Sequence, residues 1–217
     1  MDMDFGIVPV FELGGIEITN TMVNTWVIMA FLIIIAVLVR MNLTRVPGRL
    51  QLVAELIVQG SQWLVDNTMG EGRRGFAPYT MTLALFLVCA NLSGLVALRQ
   101  PTADLNVTFA LALITFFLVH WHGFKAKGGL GYLKSYFEPL AFMFPINVIS
   151  EIALPVSLSF RLFGNMLGSV IIMALLYSFA PVIVPFIGHA YFDIFAGLIQ
   201  TFIFVMLTLT FIVLKME

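Results

Sequence analysis

The sequence predicts an all-α, polytopic membrane protein with five transmembrane helices and one interfacial amphipathic helix. Of its 217 residues, 60% are hydrophobic and only 11% are charged, whereas soluble domains carry about 25% charged residues. A soluble chain this apolar could not cover its surface with polar groups. In addition, five apolar stretches reach the ~20 residues that a helix needs to cross the hydrocarbon core. We therefore expect a single membrane domain over residues 1–217 and no separate soluble domain.

The predicted elements differ in length and in apolar pattern. Three spans have ordinary length. The stretch after Pro47-Gly48 has its apolar residues on one face, which is typical of a helix lying in the membrane interface. The last two helices exceed a perpendicular span, so we expect them to be tilted, the first also kinked near Pro155. In chain order, the spans are 21–39, 78–98, 105–121, 142–179 and 185–214, the interfacial helix is 49–66, and the Gly- and Lys-rich residues 122–136 form a loop.

The basic residues orient the chain. With five spans, nine of the 11 Lys and Arg residues fall on one side, Arg99 falls on the other and Arg161 lies within the membrane. By the positive-inside rule, the N-terminus is outside and the C-terminus is cytoplasmic. The acidic N-terminus lacks the basic region of a secretory signal, so we expect the first helix to be retained.

Arg161 lies within the fourth span and needs an explanation. A cation at the bilayer centre costs about 2.5–3.5 kcal/mol even on the lenient insertion scale, and arginine cannot deprotonate to avoid this cost. Arg161 must therefore face water or a carboxylate. One interpretation is a buried ion pair with Glu151 or Asp193 that only fixes helix packing. The other is a functional cation, because charges within the membrane usually mark ion or substrate pathways.

The neighbours of Arg161 favour the functional interpretation. At 100° per residue, Ser157, Asn165 and Gly168 lie within about 40° of Arg161 on the helix. Gly164 and Gly168 form a small-xxx-small pair that allows another helix to come close. The glycines alone indicate no more than helix packing. Together with the arginine, they predict a smooth polar surface past which something moves.

The last span carries a second polar face. His189, Asp193, Gly197 and Gln200 share it, and His189 and Gln200 are about 16 Å apart along a helix. Titratable and hydrogen-bonding groups over half the depth of a membrane predict a hydrated path for an ion. The alternative places His189 in a loop near the interface and makes Asp193 a charge at a helix end.

Several other kinds of site have no support in the sequence. Cys89 lies in an apolar run and is expected to be a packing residue. His120 and His122 have no third ligand nearby, so we expect an interfacial anchor rather than a metal site. No GxSxG or GxxxxGK[ST] motif occurs, and no basic patch suggests nucleic acid. We therefore expect no cofactor, no metal and no nucleotide site.

At this point the residues resemble a known family. The segment PVSLSFRLFGN, with Asn165 four residues after Arg161, is similar to the signature of subunit a of F-type ATP synthases. The segment IQTFIFVMLTLTFI, with Gln200 near its start, resembles the last helix of that family. Weaker matches are Pro47, Gln51 and Glu55 with the interfacial helix, PTADLNVT at 101–108 and HGFKAKGGLGYLKSYFEP at 122–139.

The resemblance implies a function and partners. Subunit a is the membrane stator of a rotary motor, without catalysis of its own. It lies against a rotating c-subunit ring and is held by the b-subunit peripheral stalk in the lipid bilayer. Two aqueous half-channels lead H⁺ or Na⁺ to and from the ring carboxylates. Arg161 would be the arginine between the half-channels, with Asn165 and Gln200 beside it.

One departure from the family pattern concerns the channel. Many members carry a Glu nine residues after the arginine, where this sequence has Val170. The polar position seven residues before the glutamine is Asp193. We therefore expect Asp193 to relay the ion, with His189 as its neighbour. Glu151 and Ser157 are further candidates for lining the channel, and Glu151 could instead cap a kink at Pro155.

Two other functions are also considered for this sequence. A stand-alone secondary transporter or channel usually shows related halves with broken helices, and this sequence shows no such symmetry. An intramembrane enzyme would need a nucleophile–base pair or metal ligands at membrane depth. The short N-terminus favours the inner (plasma) membrane of a bacterium over that of an organelle. The sequence does not determine whether the coupling ion is H⁺ or Na⁺.

Overall fold

The computed structural model describes residues 9–13, 16–96, 98–137, 141–179 and 183–216. Its helices are α1 (Asn20–Met41), α2 (Arg49–Met69), α3 (Ala77–Leu92), α4 (Leu105–Ser135), α5 (Phe144–Phe179), α6 (Ile183–His189) and α7 (Gly197–Met216). A π-helical segment, Ala190–Ala196, joins α6 to α7, and short 3₁₀ turns lie at Arg74–Phe76, Ser93–Val96, Pro101–Ala103 and Ala141–Met143. The predicted break around Pro181 lies outside the described residues.

The predicted fold class is confirmed. Within the described residues, five helical segments are long and apolar enough to cross a membrane. They are Asn20–Met41, Arg74–Val96, Leu105–Ser135, Phe144–Ser178 and Phe186–Met216. Their lengths of 22 to 35 residues allow a span with tilt. The helix α2 is not among them, and its first half leaves Leu50, Val53 and Leu56 exposed, as expected for a helix in the interface.

A short β-hairpin precedes the first helix and was not predicted. Strand β1 (Pro9–Leu13) pairs antiparallel with β2 (Ile16–Thr19). Thr19 then caps α1, because its side-chain oxygen accepts a hydrogen bond from the backbone N–H of Met22 at 3.4 Å. The hairpin therefore sets where the first helix begins.

The predicted loop at 122–136 is wrong, because α4 continues to Ser135. Gly128, with φ of 72°, is its one residue with non-helical backbone angles. After that break the chain turns so that Tyr132 is buried next to Gly123 and Lys215. Lysine and alanine are good helix formers, so the chain is helical on both sides of the break at Gly128. At about 1.5 Å per residue, the stretch from Leu105 to Lys127 before the break already matches the ~30 Å hydrocarbon core.

The core lies where α3, α4, α5 and α7 meet. Its fully buried members include Leu87, Ala112, Leu162, Phe204 and Leu209. Hydroxyl pairs link α4 to its neighbours: Thr108 and Ser159 are 3.2 Å apart, and Thr115 and Thr208 are 3.4 Å apart. Such small polar contacts hold membrane helices together where burial against lipid supplies little driving force. The helix α1 stands mostly outside this core and exposes its apolar residues.

Three side-chain pairs show how α5 lies against the last helix. Glu151 contacts Lys215, Asn165 contacts Gln200, and Tyr177 contacts His189. Because higher numbers in α5 match lower numbers in the last segment, the two run antiparallel. The same register places Arg161 level with Phe204 and Val205.

The close packing at Gly123 can be tested by stability. A Cβ at this position would lie 2.9 Å from the Tyr132 ring and 3.2 Å from the Lys215 carbonyl oxygen. Gly123→Ala is therefore expected to lower the apparent melting temperature in detergent, by about 2–4 °C for each kcal/mol of overpacking. Gly131→Ala is the matched control, since its nearest neighbour would be 3.7 Å away. Equal melting temperatures for both variants would contradict the packing described.

Candidate functional site

Arg161 is the eighteenth residue of the 36-residue α5 and therefore lies at its middle. Its side chain is exposed, as are Ser157, Gly164 and Asn165, with Gly168 half-buried. We call these five residues the arginine face. A Cβ added at Gly164 or Gly168 would have nothing within 4 Å. The face is thus smooth and unoccupied within the described chain, at a depth where lipid alone would be a poor environment for a cation.

The opposite side of α5 explains why this face points outward. Leu158, Leu162 and Met166 are buried in the core, and Ser159 bonds to α4. With apolar residues at i, i+4 and i+8 fixed in the core, the helix is held in one rotation. Arg161 must then face away from the other helices.

The ion-pair interpretation of Arg161 does not match the described contacts. The carboxylate of Glu151 pairs with Lys215, and His120 Nε2 lies 3.4 Å from its second oxygen. Asp193 is bonded to His189 and Gln100. Among the described residues, no ion pair includes Arg161. Both carboxylates that could have neutralised it have other partners.

Asn165 of the arginine face contacts Gln200 of the last helix. Asn165 Nδ2 donates to Gln200 Oε1 at 2.6 Å. Gln200 is buried, and its Nε2 has no hydrogen-bond partner among the described residues. The same holds for the Oγ of Ser169, one turn after Asn165. Unsatisfied buried polar atoms are rare and costly, so these two call for water or an ion nearby.

Asp193 lies at the centre of a buried polar network near the start of the last span. Its Oδ2 is 2.5 Å from His189 Nδ1, and His189 Nε2 is 2.7 Å from the hydroxyl of Tyr177. Asp193 sits in the π-helical segment, where the wider turn alters the direction of side chains. Such π-bulges occur frequently at functional sites. The alternative of a loop His189 and a helix-end Asp193 does not describe this geometry, because Asp193 is only 3% exposed and His189 lies in a helix.

Two members of this network were missed by sequence reasoning. Gln100 Nε2 donates to Asp193 Oδ1 at 3.0 Å and to the Asn91 carbonyl oxygen at 2.9 Å. Asn91 Nδ2 donates to the Gly197 carbonyl and to Thr201 Oγ1, at 3.0 and 3.1 Å. Both belong to segments distant in sequence, α3 and the loop before α4, so helix periodicity gave no signal. We call Tyr177, His189, Asp193, Gln100 and Asn91 the Asp193 cluster.

Two glycines allow the side chains of the Asp193 cluster to pack closely together. A Cβ at Gly94 would lie 2.6 Å from Gln100 Nε2 and 3.0 Å from Asp193 Oδ2. A Cβ at Gly197 would lie 3.1 Å from the Cβ of Asn91. A side chain at Gly94 would have to displace the Gln100 amide, and one at Gly197 would push Asn91 by a few tenths of an ångström.

A cleft lies at the other end of α5. It has a volume of about 410 Å³ and is lined by Glu151, Ser157 and Lys215 together with mainly apolar residues of α5 and α7. We call it the Glu151 cleft. Glu151 and Lys215 are about 14% and 24% exposed, respectively, and Lys215 also lies over the rings of Tyr132 and Tyr136. Ser157 lies one turn from Arg161, so the cleft leads from the charged pair towards the arginine face.

The two histidines at the end of the third span do not converge. His120 Nδ1 and His122 Nδ1 each lie 2.9 Å from a carbonyl oxygen one turn earlier in α4. Their rings pack against Phe116 and Phe76, respectively. They therefore act as aromatic packing groups near the end of the span. Cys89 is half-buried in α3.

Comparison with known protein families accounts for this arrangement. Residues 22–213 match the family described as ATP synthase A chain. The chain belongs to this family. It is accordingly a multi-pass membrane subunit of an F-type ATP synthase, a complex that couples ion transport to ATP synthesis.

Individual relatives support membership of the ATP synthase A chain family over most of the chain. The chain is 37% identical to ATP synthase subunit a, sodium ion specific, of Propionigenium modestum, over 97% of this chain and 78% of that protein. It is 37% identical to ATP synthase subunit a of Moorella thermoacetica, over 94% of each. It is 39% identical to ATP synthase subunit a 2 of a Bradyrhizobium species, over 93% of this chain and 91% of that protein.

The dependence of the Asp193 cluster on Gly94 gives a prediction. Gly94→Ala is expected to displace the Gln100 amide, break its bonds to Asp193 and Asn91, and lower the apparent melting temperature in detergent by several degrees. Gly164→Ala is the control in the same measurement, because its Cβ would meet nothing within 4 Å. If Gly94→Ala has the same melting temperature as the unchanged protein, Gly94 does not pack against Gln100 and Asp193 as described.

Proposed function

We propose that this subunit moves the coupling ion through two half-channels, with Arg161 as the fixed charge between them. The observation that carries the proposal is an exposed arginine at mid-helix, without an ion pair to any described residue, on a face with two glycines. In this proposal the arginine face lies against the c-subunit ring. The Asp193 cluster lines one half-channel and the Glu151 cleft belongs to the other.

The positions along α5 support two separate half-channels. Glu151 lies ten residues before Arg161, about 15 Å along a helix, and Tyr177 lies sixteen residues after it, about 24 Å. The two polar regions therefore lie on opposite sides of the arginine. Level with Arg161, the last helix offers Phe204 and Val205, both buried. This apolar level separates the regions and opposes a direct leak between them.

Unsatisfied polar atoms mark the path from the Asp193 cluster to the arginine face. Gln100 Oε1, Ser169 Oγ and Gln200 Nε2 are buried without a partner among the described residues. Asn91 links the cluster to Thr201, which directly follows Gln200. Water or an ion passing this way would satisfy these atoms and remove the cost of burying them.

The physical logic of the arginine follows from the cost of charge in lipid. A ring carboxylate crosses lipid only when a bound H⁺ or Na⁺ neutralises it. A nearby fixed cation favours the charged form of the carboxylate, so the ion leaves. Arginine suits this role better than lysine, because it stays charged wherever it is buried.

Partners and orientation follow from the same arrangement. The complex supplies the c-subunit ring for the arginine face and a b-subunit peripheral stalk to hold the stator still. The nine basic residues of one side support a cytoplasmic C-terminus. The Asp193 cluster would then open to the outside and the Glu151 cleft to the cytoplasm. Since the relatives named above are bacterial, we place the chain in a bacterial inner membrane.

Arg161→Ala tests the proposed transport step. In inverted vesicles, ATP-driven ion uptake is expected to fall to the level measured without ATP, because the ring carboxylate would keep its ion. Lys125→Ala removes an exposed cation in the last third of α4 and should leave uptake unchanged. Co-purification of the ring with each variant checks assembly. Undiminished uptake by an assembled Arg161→Ala complex would overturn the proposal and favour a transporter that does not need this charge.

Gly164→Leu tests whether the arginine face meets a partner. The side chain would project from an exposed position with nothing within 4 Å of its Cβ. The isolated subunit should therefore melt normally, whereas ATP-driven uptake by the complex should be strongly reduced because the ring is obstructed. Ile152→Phe, which enlarges an already large exposed side chain elsewhere on α5, is the control. Normal uptake with Gly164→Leu would show that no partner approaches this face.

A further inference from the structure

We propose that Gln100 is a positioning residue for ion transfer, holding the Asp193 carboxylate towards the rest of the path while His189 exchanges with the outside. The inference rests on the proposed role of Asp193 and adds a residue from outside the last two helices. Gln100 lies in the loop between the second and third spans, and it is 3% exposed.

The hydrogen bonds of Gln100 point to this role. Its amide uses Nε2 as a double donor, to Asp193 Oδ1 and to the Asn91 carbonyl, while its Oε1 has no partner among the described residues. A carboxamide has two donor hydrogens and one acceptor oxygen. The opposite assignment of the amide would set its single oxygen against two acceptors, the Asp193 carboxylate oxygen and the Asn91 carbonyl oxygen. The donor side therefore faces Asp193, and the second bond fixes its direction.

The two neighbours of Asp193 differ in what they can do. His189 is titratable, only half-buried, and bonded to Tyr177, whose side chain is exposed. Gln100 is neutral at all pH values and deeply buried. When His189 gains or loses a proton, its bond to Asp193 changes character, but the bond from Gln100 does not. The carboxylate thus keeps one fixed orientation through the exchange.

Gln100 also connects Asp193 to the arginine face. Its second bond goes to Asn91, and Asn91 bonds onward to Thr201, next to Gln200. Gln200 contacts Asn165 on the arginine face. The Gln100 amide therefore lies between Asp193 and the part of the proposed ion path that leads to the arginine face. Gly94 lets the amide reach this place.

The test uses the complete complex reconstituted in liposomes, with the rate of ATP-driven ion uptake as the readout. Gln100→Leu is expected to lower the rate about tenfold or more, the effect of losing one hydrogen bond to a charged group. Gln100→His should recover part of the rate, because its Nε2 lies as many bonds from the backbone as that of glutamine. Thr21→Val is the control: it removes the 2.6 Å bond to Asp104 that anchors the same loop, without touching Asp193.

A double-variant comparison separates positioning from simple stability. If Gln100 acts through Asp193, then Gln100→Leu combined with Asp193→Asn should be within about twofold of Asp193→Asn alone. The inference is overturned if the double variant loses uptake rate by the product of the two single losses. It is also overturned if Thr21→Val lowers the rate as much as Gln100→Leu does, because Gln100 would then be only a loop anchor. If Asp193→Asn itself transports normally, the proposed half-channel fails, and not only the role of Gln100.

Discussion

A permanent positive charge at mid-membrane is the constraint on which the rest of this structure depends. Arg161 cannot lose its proton, and no carboxylate among the described residues reaches it. The fold nevertheless holds it outward, because Leu158, Leu162 and Met166 fix the opposite side of α5 in the core. Such a charge is stable in the membrane only if water or a partner covers it. The stability of the helix is thus tied to assembly with something outside the chain, which agrees with its membership of a multi-subunit complex.

The antiparallel contact between α5 and the last helix determines where the other polar groups lie relative to Arg161. The pairs Glu151–Lys215, Asn165–Gln200 and Tyr177–His189 arrange the polar groups at three levels along the two helices. The apolar level of Phe204 and Val205 lies between the first and second pair. Under the proposed function, an ion that follows polar groups from either end is brought to the arginine face rather than past it. In that proposal, separation by an apolar level and repulsion by a fixed cation both oppose a leak that bypasses the ring.

The sequence predicted those parts of the fold and site that depend on local pattern. Long apolar runs located all five spans, and the periodicity of one helix placed Ser157 and Asn165 beside Arg161. The prediction for residues 122–136 failed because a loop composition does not exclude a helix that leaves the membrane. Gln100 and Asn91 could not be found in this way. Gln100 reaches Asp193 from the loop before α4, and Asn91 binds Gln100 from α3; no single-helix pattern records a contact across 93 residues.

The family resemblance implies a Glu where this chain has Val170, and the contact between the last two helices bears on that difference. In the proposed path a relay carboxylate need not lie on α5, because α5 and the last helix lie side by side. Asp193 occupies the neighbouring helix, in a π-helical turn, where His189 and Gln100 supply donors to both of its oxygens. What such a path requires is an ionisable oxygen at the right depth with its orientation fixed. Either helix can supply the carboxylate, provided that the surrounding donors move with it, so the donors around Asp193 are as much a part of the site as Asp193 itself.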